Sequence, residues 1–253
     1  SDVTAPDGIV MIDPATALVT QFVNPGDLIE IDLATGAQTV VAGGFGRSQG
    51  VILDGQGNAL IAEQDGGRIA AVNLGTGAVS TFIGGLNAPI DIVFEDADNV
   101  LISEAGTGVI VRVNPTTGTR TNLATGLGIP TDLVLDGNGN VLVTEFLADR
   151  VTQVDLATGQ TTTLSTISGP HSIQLDPNGD IYILSFRQGT ISRREPDGNL
   201  TTVASGMINP TWFVFQAAPG QSPVSIPALS QWGLAILGLL VVMITMLRRK
   251  RMA

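Results

Sequence analysis

Cysteine is absent from this chain of 253 residues, and histidine, tyrosine and lysine occur once each. The first absence excludes disulfides, thiol nucleophiles and thiolate-held metals. The second leaves one imidazole, His171, for proton transfer near neutral pH. Cations are scarce: 12 Lys and Arg stand against 23 Asp and Glu, a formal charge of −11. Four of those 12 form the terminal RRKR run at 248–251, so the rest of the chain holds eight cations against 23 acids, a net of −15. Such a chain has no basic surface for neutralising phosphates, which excludes a nucleic-acid partner. An acidic exported protein using divalent cations fits the balance, and so does an acidic surface that serves only solubility. Glycine (31 residues) and apolar residues (43%) are plentiful, enough for one large domain with a full core. The start, SDVTAPDG, has no initiator Met, consistent with a removed signal peptide or with a piece of a longer product.

The glycines punctuate a repeat. Residues 128–165 read as four short strands, with Asp136-Gly-Asn-Gly-Asn140 turning the first hairpin and Ala157-Thr-Gly159 the second. The first turn recurs at Asn58, Asn99, Asn140 and Asp180, spaced 41, 41 and 40. The end of the third strand recurs at Asn73, Asn114, Asp155 and Glu195, spaced 41, 41 and 40. Pro89, Pro130, Pro170 and Pro210 precede the first strands. Four strands per period of about 40 residues predict an all-β fold, a β-propeller of four-stranded antiparallel blades.

Complete blades are drawn at 48–84, 86–126, 127–166 and 168–205, and Pro210–Phe215 begins another first strand. Gly8–Val23 reads as a third-plus-fourth-strand hairpin, so the termini are expected to share a blade. Asp13 and Asp32 then read as equivalent but lie only 19 residues apart, which makes Leu28–Val41 half a blade with one hairpin missing. The count is about five to six blades, one incomplete.

The propeller is assigned to 1–216, a linker to 217–225 and a separate tail to 226–253. The tail is IPALSQWG, an apolar run at 233–247 and RRKR. The run predicts a transmembrane helix, with the cations on the cytoplasmic side and the propeller across the membrane. It resembles the IPTL-CTERM sorting signal, through Ile226, Pro227, Leu229, Ser230, Trp232 and Gly233. That resemblance implies export, recognition by an exosortase-like membrane protease, and anchoring followed by transfer to the cell surface. A plain membrane anchor is the alternative.

In a propeller, equivalent residues form rings around the channel. Glu63, Glu104 and Glu145 each end a second strand, and Asp91 and Asp132 lie just inside first strands. Converging carboxylates favour magnesium or calcium. Alternatively, repetition merely copies acids that bond backbone amides. His171 breaks the repeat where Gln49, Ile90, Thr131 and Thr211 stand elsewhere, with Tyr182, Ser185, Arg187 and Trp212 also irregular nearby. It is a candidate general base or metal ligand; a hydrogen-bonded structural role is the alternative. Asp91, Asp132, Trp212 and Arg187 are candidate binding residues for a ligand at the mouth. The Asp-rich turns at 136–140 and 176–180 mimic calcium loops but lack the downstream Glu of an EF-hand.

The motif carried by Pro130, Asp136, Gly139, Asn140, Thr144 and Glu145 is similar to NHL-type propellers over roughly residues 8–216. The streptogramin (virginiamycin B) lyases resemble it most, the gluconolactonase/regucalcin group less. The lyase resemblance implies magnesium-dependent opening of a cyclic depsipeptide lactone by elimination. Its base maps onto His171, with Glu145 the nearest acid, and the chain holds no second histidine. The gluconolactonase resemblance implies one metal, to which Glu63, Glu104 and Asp132 would contribute. The shortage of nucleophiles and bases favours a displayed binding or scaffold module; a metal-dependent lyase or lactone hydrolase is the competing reading.

Overall fold

A computed structural model describes residues 3–216 and 240–243 of the protein, and they are all β. Blade 1 holds β1 (Pro6–Asp13), β2 (Thr16–Gln21), β3 (Gly26–Asp32) and β4 (Gln38–Phe45). Blade 2 holds β5 (Ser48–Leu53), β6 (Asn58–Glu63), β7 (Arg68–Asn73) and β8 (Val79–Gly84). Blade 3 holds β9 (Pro89–Phe94), β10 (Val100–Glu104), β11 (Val109–Val113) and β12 (Arg120–Thr125). Blade 4 holds β13 (Pro130–Leu135), β14 (Asn140–Glu145), β15 (Arg150–Asp155) and β16 (Thr161–Thr166). Blade 5 holds β17 (Pro170–Leu175), β18 (Ile181–Ser185), β19 (Thr190–Arg194) and β20 (Leu200–Ala204).

Strands within each blade pair antiparallel in chain order. The first strands contact one another in the series β1, β5, β9, β13, β17. A further strand, β21 (Phe213–Gln216), touches both β17 and β1 and completes the ring at a sixth position. β22 (Leu240–Met243) pairs antiparallel with it.

Two sequence expectations change here. Gly8–Val23 forms the first hairpin of blade 1, and Leu28–Val41 falls in β3 and β4 of that same blade. Among the described residues no hairpin is missing between Asp13 and Asp32, blade 1 is complete without a C-terminal strand, and the incomplete position is the sixth. The difference has a physical origin. Ile12-Asp-Pro-Ala-Thr16 imitates Ile31-Asp-Leu-Ala-Thr35, because an aspartate capping a tight turn serves either hairpin. Asp13 Oδ1 accepts the Ala15 N–H at 2.7 Å, and Asp32 Oδ1 accepts the Ala34 N–H at 2.8 Å. The helix expected over 233–247 lies outside the described residues except for 240–243, which pair as β22. Among the described residues, no helix is long and apolar enough to cross a membrane.

The core lies between blades, built by strand alternation. Leu60 and Ala62 face blade 3 beside Ile92 and Ile102, while Ala59 and Ile61 face blade 1 beside Leu18 and Leu28. The sixth position uses the same device with larger side chains. Trp212 packs on Ile9, Ala17 and Val19 of blade 1, and Phe213 packs on Tyr182, Leu184 and Ile191 of blade 5. The calcium-like turns are turns: Asp136 Oδ1 accepts from the N–H groups of Asn138 at 2.7 Å and Asn140 at 3.0 Å.

Candidate functional site

The residues just inside the first strands lock each blade to the next. The Ser103 hydroxyl accepts the Asp91 N–H at 3.0 Å and donates to the Thr131 carbonyl of blade 4 at 2.9 Å. Thr20 does the same from blade 1, donating to Gln49 O at 2.6 Å. Asp91 Oδ2 accepts the Leu133 N–H at 3.0 Å, and Asp132 Oδ2 accepts the Ile173 N–H at 2.8 Å and the Ser172 hydroxyl at 2.7 Å. Gly50 makes room for this ring, since a Cβ there would run into the Asp91 carboxylate. Burial raises both acids. Asp132 is pushed up to about 6, and Asp91 is raised well above the ordinary carboxylate range by burial and by the facing Asp132. Asp91 and Asp132 thus lie in the channel wall with their oxygens turned to the neighbouring blade.

The three repeated glutamates also bind backbone. Each accepts an N–H just before its own first strand: Gly46 to Glu63 at 3.0 Å, Asn87 to Glu104 at 3.0 Å and Gly128 to Glu145 at 2.7 Å. Gln21 takes the equivalent place in blade 1, donating to Thr4 O at 3.0 Å, and Ser185 in blade 5, donating to Ser168 O at 2.5 Å. The remaining oxygens meet Arg68 on Glu63, Thr107 on Glu104, and Arg150 and Thr152 on Glu145. Burial works against the Glu145 charge, but Arg150, Thr152 and the Gly128 N–H outweigh it and hold the carboxyl below its usual range. Among the described residues, no three His, Asp or Glu converge to hold a metal ion. Glu145→Ala strands the Gly128 N–H and the Thr152 hydroxyl in a buried place. It is expected to cost about 2 kcal/mol, read as a lowered urea midpoint.

The residue before each of the five first strands turns with positive φ, Ala5 45°, Arg47 34°, Ala88 49°, Ile129 55° and Gly169 56°, and so does Asn209, 49°, ahead of β21. Five of the six are not glycine, and a β-branched Ile is costly there. The second residue after each kink lines one end of the channel at all six positions. That ring is Asp7, Gln49, Ile90, Thr131, His171 and Thr211, and it lines a cavity of about 410 Å³. Ala5, Pro6, Ile129 and Asn209 add to the wall, and Phe22, Phe146 and Phe186, each following the end of a second strand, complete it. The volume falls in the range of small-molecule sites, roughly 300–1,000 Å³. Near the mouth, Leu147 (59% exposed) and Ile208 (64% exposed) show apolar surface to solvent.

His171 is where the irregular residues meet. Its ring lies edge-on to Phe146 at 6.0 Å and to Trp212 at 6.4 Å, and tilted against Phe186 at 6.0 Å. Its Nδ1 is 2.9 Å from the Thr211 carbonyl, which can only accept, so Nδ1 carries the proton. Burial pushes the imidazole down to about 4, against the Thr211 contact. It is neutral at pH 7 and presents Nε2 as an acceptor. Arg187 stacks over Phe146 at 4.8 Å and pairs with Asp149, so it guards the rim without lining the cavity.

Asp7 is the residue that sequence reasoning missed. It is 4% exposed and its Oδ1 completes no hydrogen bond. Trp212 Nε1 completes none either. Burial pushes the Asp7 carboxyl up to about 7, opposed by the nearby Thr211 hydroxyl and Trp212 indole. The signal was present: Pro6-Asp-Gly-Ile9 parallels Pro89-Ile-Asp-Ile92, and Thr20-Gln21 parallels Thr144-Glu145.

Fold and cavity define a six-position β-propeller with a small-molecule-sized site at one mouth of its channel. Residues 224–251 match the IPTL-CTERM motif, the mark of an exported protein with a C-terminal sorting signal. The fold is similar to that of a chain in a nidogen/laminin complex, with a TM-score of 0.69 and 14% identity over 79% of this chain and 80% of that one. It is similar to a streptogramin B lyase, at TM-score 0.63 and 13% identity over 83% and 87% of the two chains. It is also similar to virginiamycin B lyase from Staphylococcus aureus, at 0.64 and 17% over 84% and 75%. At these identities the likeness establishes the fold alone. Comparison with curated proteins finds no match.

Proposed function

We propose that this protein is an exported propeller whose channel mouth binds a small, largely apolar molecule, and that its tail delivers the site to the cell surface. One observation carries the reading: the equivalent positions of the ring hold dissimilar side chains yet close on one cavity, with three phenylalanines in its wall. Lining positions that depart from the repeat are under a demand other than blade packing. The glutamates that metal chemistry would need are engaged with backbone and arginine instead. The IPTL-CTERM match supports handover to an exosortase-like protease at the membrane.

A second reading rests on His171, which lines the cavity with its Nδ1 engaged by Thr211, leaving Nε2 as the nitrogen a lyase base would use. It requires a magnesium ion, and Glu145, its proposed acidic partner, is not among the lining residues.

Ligand-observed NMR of small aromatic fragments against the full chain separates the two. Binding is expected at one competitive site, weakened at least tenfold in Phe146→Ala and Phe186→Ala. Fragments that bind equally well to both variants contradict the mouth as the site. Opening of a streptogramin B lactone with magnesium, lost in His171→Ala, would establish the lyase reading.

A further inference from the structure

Two titratable side chains line the cavity. Asp7 contributes a buried carboxyl whose Oδ1 completes no hydrogen bond, with the Thr211 hydroxyl and Trp212 indole beside it, and His171 contributes an imidazole with its proton fixed on Nδ1 by Thr211. Among the described residues, no Lys or Arg lines the wall, and the rim guanidiniums of Arg47 and Arg187 are paired with Asp65 and Asp149. Around Asp7 and His171 stand the rings of Phe22, Phe146 and Phe186, whose negative faces attract cations. One carboxylate and one imidazole are too few hard donors for calcium or magnesium. A neutral alcohol would donate one hydrogen bond and gain nothing from the charge or the rings.

We infer that the mouth cavity recognises a primary organic ammonium with an apolar or aromatic body, the N–H groups donating to Asp7 and His171 and the body resting among the phenylalanines. This rests on the mouth being a binding site and names the chemical class it takes. An ammonium supplies the missing donors and a positive charge for a carboxylate that desolvation otherwise disfavours. Asp7 and His171 are the two titratable groups in the described cavity wall; Gln49, Thr131, Asn209 and Thr211 are its uncharged polar residues, and Trp212 stands beside Asp7.

The test is calorimetric titration of the full chain in a non-ionic detergent with phenethylammonium, phenethyl alcohol and phenylacetate. The cation is expected to bind at least tenfold more tightly than the alcohol, and the anion not measurably. Asp7→Asn, which keeps the shape, should reduce the cation to the affinity of the alcohol without lowering the melting temperature. A readout on the native chain needs no variant. Binding at pH 7 should release about half a proton, because a carboxyl at about 7 is driven to its ionised form, so heats in phosphate and Tris differ. Equal affinity for cation and alcohol, no proton release, or full cation binding by Asp7→Asn overturns the ammonium assignment while leaving the cavity a binding site. Binding by none of the three probes overturns both.

Discussion

Phe213→Ala is expected to destabilise the full chain by about 3–5 kcal/mol, the usual cost of emptying a buried phenylalanine site. Phe213 is 0% exposed, packs on Tyr182, Leu184 and Ile191 of blade 5, and meets Phe215 edge-on at 5.7 Å. An ordinary blade spreads its packing over four strands, whereas the sixth position meets blade 5 through Phe213 and Phe215. Phe215→Ala, at a partly exposed position on the same strand, should cost less than half as much. Urea unfolding followed by circular dichroism measures both. A loss below about 1 kcal/mol for Phe213→Ala would mean that β21 does not seal the ring.

The second large effect is a stability that rises on acidification from pH 8 to pH 5. Asp7 titrates at about 7 in the folded chain against an ordinary 3.8, so the folded state holds a proton that the unfolded chain releases. The sign follows from linkage: the contribution is complete below about pH 4 and is lost as pH rises through about 7. Asp132, pushed up to about 6, and Asp91, also raised by burial, act in the same direction. Asp7 alone is expected to add roughly 2–3 kcal/mol between pH 8 and 5, since each tenfold difference in proton affinity between folded and unfolded chain is worth about 1.4 kcal/mol. Below about pH 4 the turn acids, such as Asp54 and Asp96, whose carboxyls are held low by Asn58 and Asn99, lose their contribution. The maximum therefore falls near pH 4–5. Asp7→Asn should stabilise the chain at pH 8 by roughly 4 kcal/mol, the whole difference between 3.8 and about 7, and flatten the profile. A native chain less stable at pH 5 than at pH 8 would contradict the burial of Asp7.

The blades from Ser48 to Ala204 are legible in the sequence because their turns obey local chemistry. Aspartate caps the first hairpin, glycine takes the positive φ that follows in blades 2, 4 and 5, and the spacing holds at 41 or 40. Blade 1 is not, because its first turn is Asp13-Pro-Ala-Thr16 in place of Asp-Gly-x-Gly-Asn and imitates the second-hairpin turn. That one imitation hides Asp7, since the same shift removes Pro6-Asp-Gly from the first-strand alignment. His171 is legible as the only break of its chemical type, and its place in the mouth wall agrees. The repeated glutamates are legible as a ring position, but not the direction of their oxygens: that depends on the N–H groups before each first strand, which the positive-φ kinks expose. No sequence pattern reports a kink at Ile129 or Arg47, residues ordinarily extended or helical.

The most direct measurement uses the single histidine. Its Cε1–H signal belongs to His171 without further assignment, and His171 lies in the wall of the mouth. With the chain labelled at histidine, the signal is expected to stay unchanged from pH 8 to 5.5, since the imidazole titrates at about 4, and to shift saturably with the same fragments that bind the chain. A signal that titrates near 6.5 and ignores bound fragments would place His171 in solvent and the binding elsewhere, contradicting the mouth as the functional site.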